Sequence, residues 1–278
     1  MHAVNCKAIA EKIIDEVRSE TELMDRKPVL AMFLVGEDPS SETYIHKKEE
    51  QCVRAGIKSR KIVLSENITH RNLLAEIDRL NGDVDVDAIL IQLPLPKQII
   101  EREALERIDP EKDVDCLHPL NFGLFCEYGS EEARVIPVTA LAVMKILKEC
   151  NAAIKGKDAV VVGSSNIAGK PIALMLVEKG ATTVICHDKT RDLKRHTRNA
   201  DILVVAAGKK HLITKNMVKS GTVVIDVGVN QENGIIRGDV DFDNVSEVAL
   251  YVTPVPGGVG LVTVATLLKN VLRLSRKK

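Results

Sequence analysis

The chain has no tryptophan, three tyrosines and four phenylalanines among 278 residues. So sparse an aromatic set offers no row of stacking platforms for single-stranded nucleic acid. It has no excess charge of either sign: 39 Lys and Arg stand against 39 Asp and Glu. No polyanionic partner is therefore indicated, and neither nucleic acid nor a membrane is expected as a partner. No apolar run reaches the length of a bilayer span, and the N-terminal residues lack the apolar core of a signal peptide. The cysteines Cys6, Cys52, Cys116, Cys126, Cys150 and Cys186 form no C-x-x-C pair, which argues against a disulfide framework and against a zinc site. A cytoplasmic protein with reduced thiols and no metal fits these absences. The basic end Arg276-Lys277-Lys278 reads as a frayed, solvated terminus.

What is present is a globular composition, 45% hydrophobic and 28% charged, in a chain long enough for two domains. The most informative stretch is Asp158-Ala-Val-Val-Val-Gly163-Ser164-Ser165-Asn166-Ile167-Ala168-Gly169-Lys170-Pro171. Val160, Val161 and Val162 suit a strand covered on both faces. Gly163 ends it, and Gly169, Pro171 and the apolar residues that follow open a helix. The free N–H groups and positive end of such a helix suit a pyrophosphate. The glycines are not spaced G-x-G-x-x-G, so this stretch alone also fits an ordinary strand–helix turn. Further strands are expected at Thr182–His187, Asp201–Ala206 and Thr222–Val227, making four that glycines and helices punctuate. Asp188 follows the second, 19 positions after Gly169. In dinucleotide folds an acid about 20 residues on binds the ribose 2′-hydroxyl and disfavours a 2′-phosphate; a helix cap is the plainer role.

The N-terminal half alternates in the same way. Helical spacing covers Ala8–Thr21, Ser40 onward through Tyr44 and Lys48 to a cap at Gly56, Arg71–Leu80 and Ile99–Ile108. Strands are expected at Leu30–Val35, Lys58–Leu64 and Asp87–Leu93, and a helix at Leu141–Leu147. This is the alternation of a parallel α/β sheet. Tyr44 and Lys48, four apart, share a helix face. Gln92 ends a strand, at the edge where open α/β sheets place ligands. A lysine there fits a proton-transfer role if buried, and equally a solvated role within His46-Lys47-Lys48-Glu49-Glu50. Asp113 and Asp115 lie in a polar loop with no third oxygen ligand at a recognisable spacing, so a loop carboxylate that accepts bonds from a ligand is preferred to a metal site. His118, before Pro119, fits a base but fits a structural role better. Thr253-Pro254-Val255-Pro256-Gly257-Gly258-Val259-Gly260-Leu261-Val262-Thr263 is expected to hold neither helix nor strand, with Thr263 capping a helix from Val264 to about Leu274.

Together these stretches resemble the bifunctional methylenetetrahydrofolate dehydrogenase/cyclohydrolases of the bacterial FolD type. The matching segments, in order, are Ser41-x-x-Tyr44-x-x-x-Lys48, Ile91-Gln92-Leu93-Pro94-Leu95-Pro96, Lys112-Asp113-Val114-Asp115 with His118-Pro119, Gly163-x-Ser165-x-x-x-Gly169-x-Pro171, Val224-Ile225-Asp226-Val227-Gly228 and Thr253 to Gly260. The resemblance implies an α/β protein of two domains with a cleft between them. Residues 1–137, completed by helix 263–278, would hold folate, and 138–262 would form a Rossmann-like parallel-sheet cofactor domain. It implies a homodimer that oxidises 5,10-methylenetetrahydrofolate with NADP or NAD and hydrolyses the methenyl product to 10-formyltetrahydrofolate. By the same resemblance Lys48 is the general acid/base, Gln92 orients it, Tyr44 lines the folate ring and Asp115 binds the pterin. Ser41, Pro256, Gly257 and Gly258 contact substrate. Gly163, Ser164, Ser165, Gly169, His187, Asp188 and Val229 cradle the cofactor.

The chain departs from the family pattern at several points. Cys116 stands where a glycine is usual, Val138 where a cysteine is frequent, and Leu261-Val262 where Pro-Met is usual. Ser164 and Asp188 stand where many members carry residues that receive a 2′-phosphate, while Lys170, Lys189 and Arg191 supply positive charge nearby. The family pattern favours NADP and the local charge favours NAD. Two other classes fit the coarser pattern: a two-domain dehydrogenase of another small substrate, of the shikimate dehydrogenase kind, and a non-catalytic nucleotide-binding protein.

Overall fold

The computed structural model describes residues 2–232 and 234–276. The elements, in order, are β1 (His2–Ala3), α1 (Cys6–Glu22), β2 (Val29–Val35), α2 (Pro39–Arg54), β3 (Lys58–Leu64), α3 (His70–Asn81), β4 (Ala88–Ile91), α4 (Glu101–Arg107), α5 (Pro119–Glu132) and α6 (Val138–Glu149). Then come β5 (Asp158–Val162), α7 (Gly169–Glu178), β6 (Thr182–Cys186), α8 (Leu193–Thr197), β7 (Ile202–Val205), β8 (Val223–Asp226), β9 (Asn230–Glu232), β10 (Ile235–Arg237), α9 (Phe242–Val245), β11 (Tyr251–Val252) and α10 (Val259–Ser275). No helix among the described residues is long and apolar enough to cross a membrane.

The chain packs as two compact units, Lys12–Val138 with Val264–Lys278, and Met1–Glu11 with Thr139–Thr263. The family resemblance implied that the first eleven residues belong with the former unit. They go with the latter because β1 pairs parallel with β11. Of the basic end, Lys277 and Lys278 lie outside the described residues, and Arg276 is not free as expected: its guanidinium donates to the Glu20 carboxylate.

In the first unit the sheet order is β3-β2-β4, all parallel. Central β2 is buried at every position, which is why it reads as an unbroken apolar run, while edge strand β3 mixes exposed and half-buried residues. Leu73, Ile77 and Leu80 of α3 pack with Phe33, Val35 and Ile91, each such side chain contributing about 1.5–3 kcal/mol of burial. Asp38 caps α2, its carboxylate accepting from Ser41 N–H at 2.8 Å, with Pro39 in the first turn. Gly56, at φ 70°, follows the last turn. Lys112 is buried, and its ammonium donates to the carbonyls of Leu80 (2.8 Å), Asn81 (2.7 Å) and Asp83 (2.7 Å). It thereby satisfies the open C-terminal carbonyls of α3 and fixes the start of the loop that carries Asp113 and Asp115. Helix α5 had no clear apolar period in the sequence; it buries Phe125 and breaks at Gly129 (φ 73°).

The second unit holds a parallel sheet ordered β1-β11-β8-β7-β5-β6. It contains the four expected strands plus β1 and β11, which at two residues each are too short to show periodicity. The β9–β10 hairpin was likewise not expected. Gly163, at φ 127°, leaves no room for a side chain, because a Cβ there would overlap the Ala206 carbonyl. That close approach draws β5 against the end of β7. The stretch 253–263 is not free of helix: α10 begins at Val259, and Thr263 is no cap but donates back to Val259 O at 3.0 Å. The Gly257–Gly258 turn stops the chain earlier than the glycines at 257, 258 and 260 suggested, and the apolar residues after it carry the helix.

Lys112→Met should lower the unfolding free energy by about 3 kcal/mol in urea titration, since the carbonyls of Leu80, Asn81 and Asp83 each lose a bond to a charged donor. Lys97→Met, on an exposed residue, serves as the control and should shift it by less than about 0.5 kcal/mol. Equal midpoints for the two variants would sink the anchoring role of Lys112.

Candidate active site

Helix α2 carries Ser41, Tyr44 and Lys48 at positions i, i+3 and i+7, hence on one face. Gln92 lies one residue beyond β4, at the C-terminal edge of the sheet, and its N–H still pairs with Phe33 O at 3.0 Å. The Lys48 ammonium donates to Gln92 Oε1 at 2.9 Å. Gln92 Nε2 in turn donates to Leu93 O at 2.8 Å. That second bond fixes the amide orientation: rotated by half a turn, its nitrogen would face the ammonium and its oxygen a carbonyl. Of the basic residues in His46-Lys47-Lys48, only Lys48 is half-buried rather than exposed. His46 pairs with Glu50, and Lys47 lies over the Tyr44 ring at 5.9 Å. The solvated role considered for Lys48 thus belongs to its neighbours.

Burial pushes the Lys48 pKa below the ordinary lysine value, and the Asp115 and Cys52 charges oppose that shift. Burial likewise pushes the Asp115 carboxyl up to about 6, opposed by Lys48 and helped by Asp113. The pair therefore comprises an amine and a carboxyl, each driven toward neutrality by desolvation and each partly held charged by the other. Such an amine can take up or release a proton at lower pH than a surface lysine.

The two acids of the loop have separate tasks. Asp113 is buried and accepts from the N–H groups of Leu117 (3.2 Å) and His118 (3.0 Å) and from Asn121 Nδ2 (2.9 Å). It is committed to the start of α5, which leaves Asp115 as the loop acid coupled to Lys48. His118 is structural, as its place before proline suggested: its Nδ1 accepts from Leu120 N–H at 3.1 Å. Cys116 sits at φ 61°, the left-handed region that explains a glycine preference there. Its buried thiol reaches Val135 O at 3.4 Å. From α10, buried Asn270 donates to Val114 O and Ile136 O, both at 2.8 Å, and so holds the backbone just ahead of Asp115. Neither Lys112 nor Asn270 was singled out from the sequence; a buried role shows only as a polar residue within an otherwise apolar helix face or beside an acidic loop.

The residues expected to bind cofactor lie in the sheet unit. Gly163, Ser164 and Ser165 form the turn after β5, and Gly169 opens α7 against it, without space for a Cβ. Ser165 Oγ accepts from the N–H groups of Ala168 (3.2 Å) and Gly169 (3.4 Å), which orders the helix entrance. Ser164 is exposed. After β6, His187 Nδ1 accepts from Lys189 N–H at 3.1 Å, and exposed Asp188 pairs with Lys189 Nζ at 2.7 Å. Asp188 is not a helix cap; Asp192 caps α8, accepting from Arg195 N–H at 3.2 Å. Val229, exposed, follows β8. Pro256, Gly257 and Gly258 form the turn between β11 and α10 in this same unit, whereas Ser41, Tyr44, Lys48, Gln92 and Asp115 belong to the other. A tight turn that opens onto a helix N-terminus, walled by two glycines, suits a dinucleotide pyrophosphate.

The chain matches the family model for the catalytic domain of tetrahydrofolate dehydrogenase/cyclohydrolase over residues 4–115 and the model for its NAD(P)-binding domain over residues 137–278. It is 51% identical, over 277 residues, to a bifunctional protein FolD of Sulfurihydrogenibium sp. (strain YO3AOP1), covering 98% of this chain and 96% of that one. The crystal structure of the bifunctional enzyme FolD, methylenetetrahydrofolate dehydrogenase/cyclohydrolase, from Campylobacter jejuni superposes with a TM-score of 0.95 at 46% identity and covers 100% of both chains. The Trypanosoma brucei enzyme FolD, complexed with NADP cofactor and inhibitor, superposes with a TM-score of 0.95 at 36% identity, covering 99% of this chain and 97% of that one. With both domain models matched in order and near-complete coverage by relatives, the chain belongs to the tetrahydrofolate dehydrogenase/cyclohydrolase family.

Proposed function

We propose that the protein oxidises 5,10-methylenetetrahydrofolate to 5,10-methenyltetrahydrofolate and hydrolyses that product to 10-formyltetrahydrofolate in the cytoplasm. The observation that carries this reading is the half-buried Lys48 bonded to Gln92 at 2.9 Å and coupled to Asp115. A bound nicotinamide dinucleotide supplies the hydride acceptor. Tyr44, one turn before Lys48 with its ring partly exposed, lines the folate together with Ser41. Asp115 meets the pterin nitrogens, where a carboxyl with its pKa near neutrality can either accept or donate. Gln92 holds the Lys48 amine at one fixed position. Lys48 then takes the proton of the water that attacks the methenyl carbon and returns it to the ring nitrogen that departs as the ring opens. A non-catalytic binder has no reason to desolvate a lysine, and both domain models that match along the chain are those of the folate enzyme rather than of a shikimate-type dehydrogenase; neither alternative is favoured.

For the cofactor this reading takes NAD over NADP. Asp188 is exposed at the end of β6, where a carboxylate receives the ribose hydroxyl and repels a 2′-phosphate. Its pairing with Lys189 is a surface ion pair, too weak to cancel that repulsion. For the assembly the reading takes a homodimer. β6 is a sheet edge with Val184 and Ile185 exposed, and the adjoining α7 exposes Leu174 and Val177. A second copy laid along this edge would cover the unpaired backbone and the apolar side chains together.

Lys48→Met should abolish cyclohydrolase turnover while dinucleotide binding, read by direct titration, stays within about twofold. In the unaltered protein the cyclohydrolase rate should rise with pH as Lys48 loses its proton, and the midpoint of that limb should fall below the ordinary lysine value of about 10.4. Full cyclohydrolase activity in the variant would reject the role of Lys48. Asp188→Ser should move the kcat/KM ratio toward NADP by about tenfold, the equivalent of ~1.4 kcal/mol; an unchanged ratio would reject the repulsion argument. Ile185→Glu should yield a monomer by light scattering, and a dimer that persists would place the interface elsewhere.

A further inference from the structure

Two aspartates of the sheet unit, away from Lys48 in sequence, are almost fully buried: Asp226 is 2% exposed and Asp239 0%. Asp226 is the last residue of β8. Its Oδ1 accepts from the N–H groups of Gly228 (3.0 Å) and Asp239 (3.1 Å), and its Oδ2 from Val240 N–H (2.9 Å). Asp226 thus holds the backbone at Asp239. Asp239 in turn gathers the ends of two strands. Its Oδ2 accepts from Ala207 N–H (2.6 Å) and Gly208 N–H (2.9 Å), and its Oδ1 from Lys209 N–H (2.8 Å) and Asn230 Nδ2 (2.8 Å). The packing leaves no slack: a Cβ on Gly228 would overlap the Asp239 carboxylate, and one on Gly238 would overlap Asp226.

These bonds fall at a consequential place. Ala207, Gly208 and Lys209 follow β7, and Asn230 begins β9, a few residues past the end of β8. Both loops leave the C-terminal edge of the parallel sheet, the edge at which open α/β folds take ligands. β7 is the neighbour of β5, and its end lies tight against Gly163. Three successive N–H groups converging on one point form a nest, a shape that elsewhere holds a phosphate. Here the anion is the protein's own buried carboxylate. The loop after β7 therefore has no free nest to offer a pyrophosphate, which falls to the entrance of α7, and its path is set from below by Asp239.

We infer that Asp239 is a positioning residue for the dinucleotide, fixing the loops after β7 and β8 from beneath the cofactor edge while taking no part in the chemistry at Lys48. The inference rests on the dinucleotide lying along this edge, as proposed above. Asparagine at 239 keeps the shape but turns an NH2 group toward N–H donors, so half of the four bonds are lost and the other half lose their charge assistance.

The test is Asp239→Asn, assayed for dehydrogenase turnover, for dinucleotide binding by titration, and for cyclohydrolase turnover on the methenyl substrate without dinucleotide. Expected are a rise of about tenfold in dinucleotide KM and Kd, as for two lost charge-assisted bonds, a kcat at saturating dinucleotide within about threefold, and a cyclohydrolase rate within about twofold. An unchanged dinucleotide KM would overturn the inference. So would a parallel fall of both activities, which would mark a general structural loss. If the variant does not fold, Asn230→Ala removes one donor only; it should raise the KM about threefold, and an unchanged value would overturn the inference in the same way. Asp188→Ser separates the two levels. If it shifts cofactor preference while Asp239→Asn leaves the KM alone, only the positioning role fails. If neither has an effect, the placement of the dinucleotide fails with it.

Discussion

Every strand in the two larger sheets runs parallel to its neighbours. A parallel strand cannot turn straight back; the chain must leave one end of the sheet and return along its face. All C-terminal strand ends therefore collect at one edge of each sheet, and the connecting loops there are free to vary while the strands stay packed. Gln92 stands one residue past β4, Gly163 one past β5, His187 one past β6 and Val227 one past β8. Gln92, which Lys48 of α2 reaches across to, and the turn at Gly163 thus stand at such an edge, and the buried valines and isoleucines behind them hold it rigid.

Rigidity is bought with buried polar groups that do no chemistry. Lys112 closes the end of α3, Asp113 closes the start of α5, and Asn270 reaches from α10 to the backbone before Asp115. Each exchanges a desolvation cost for two or three bonds, which is favourable when few polar atoms are left over; of the Asn270 amide the oxygen stays unmatched. Near these anchors stand Lys48, which donates to Gln92, and Asp115. Burial pushes the amine down and the carboxyl up. A site built this way keeps its strain in protonation rather than in backbone, and leaves it for a ligand to relieve. In the sheet unit the same device recurs without reactive groups, where Asp226 and Asp239 spend their acceptors on loop N–H groups.

Backbone strain enters at one point beside the site. Cys116 takes a left-handed conformation next to Asp115. A glycine would sit there without cost, whereas a cysteine is held by burial of its thiol and by Val135 O. The departure from the family pattern is therefore absorbed locally, within the turn.

Much of this protein was legible from residue order alone. Hydrophobic runs at β2, β5, β7 and β8 announce buried parallel strands, because a strand covered on both faces needs apolar residues at every position. The Asp38-Pro39 helix start and the glycine after α2 follow from local backbone chemistry, and Tyr44 and Lys48 share a face by helical geometry. The motif order identified the family. Other features have no local signature. β1 exists only because it finds β11, and β11 because it lies between β1 and β8, at two residues apiece. α10 starts at Val259 because its apolar face has a core to enter, which outweighs the glycines around it. The distinction between Lys47 and Lys48, or between Asp113 and Asp115, is invisible in sequence, since adjacent like residues differ only in what surrounds them. Local geometry set where the elements lie; long-range packing decided which of two identical side chains would be desolvated, and desolvation is what turns a lysine into a base.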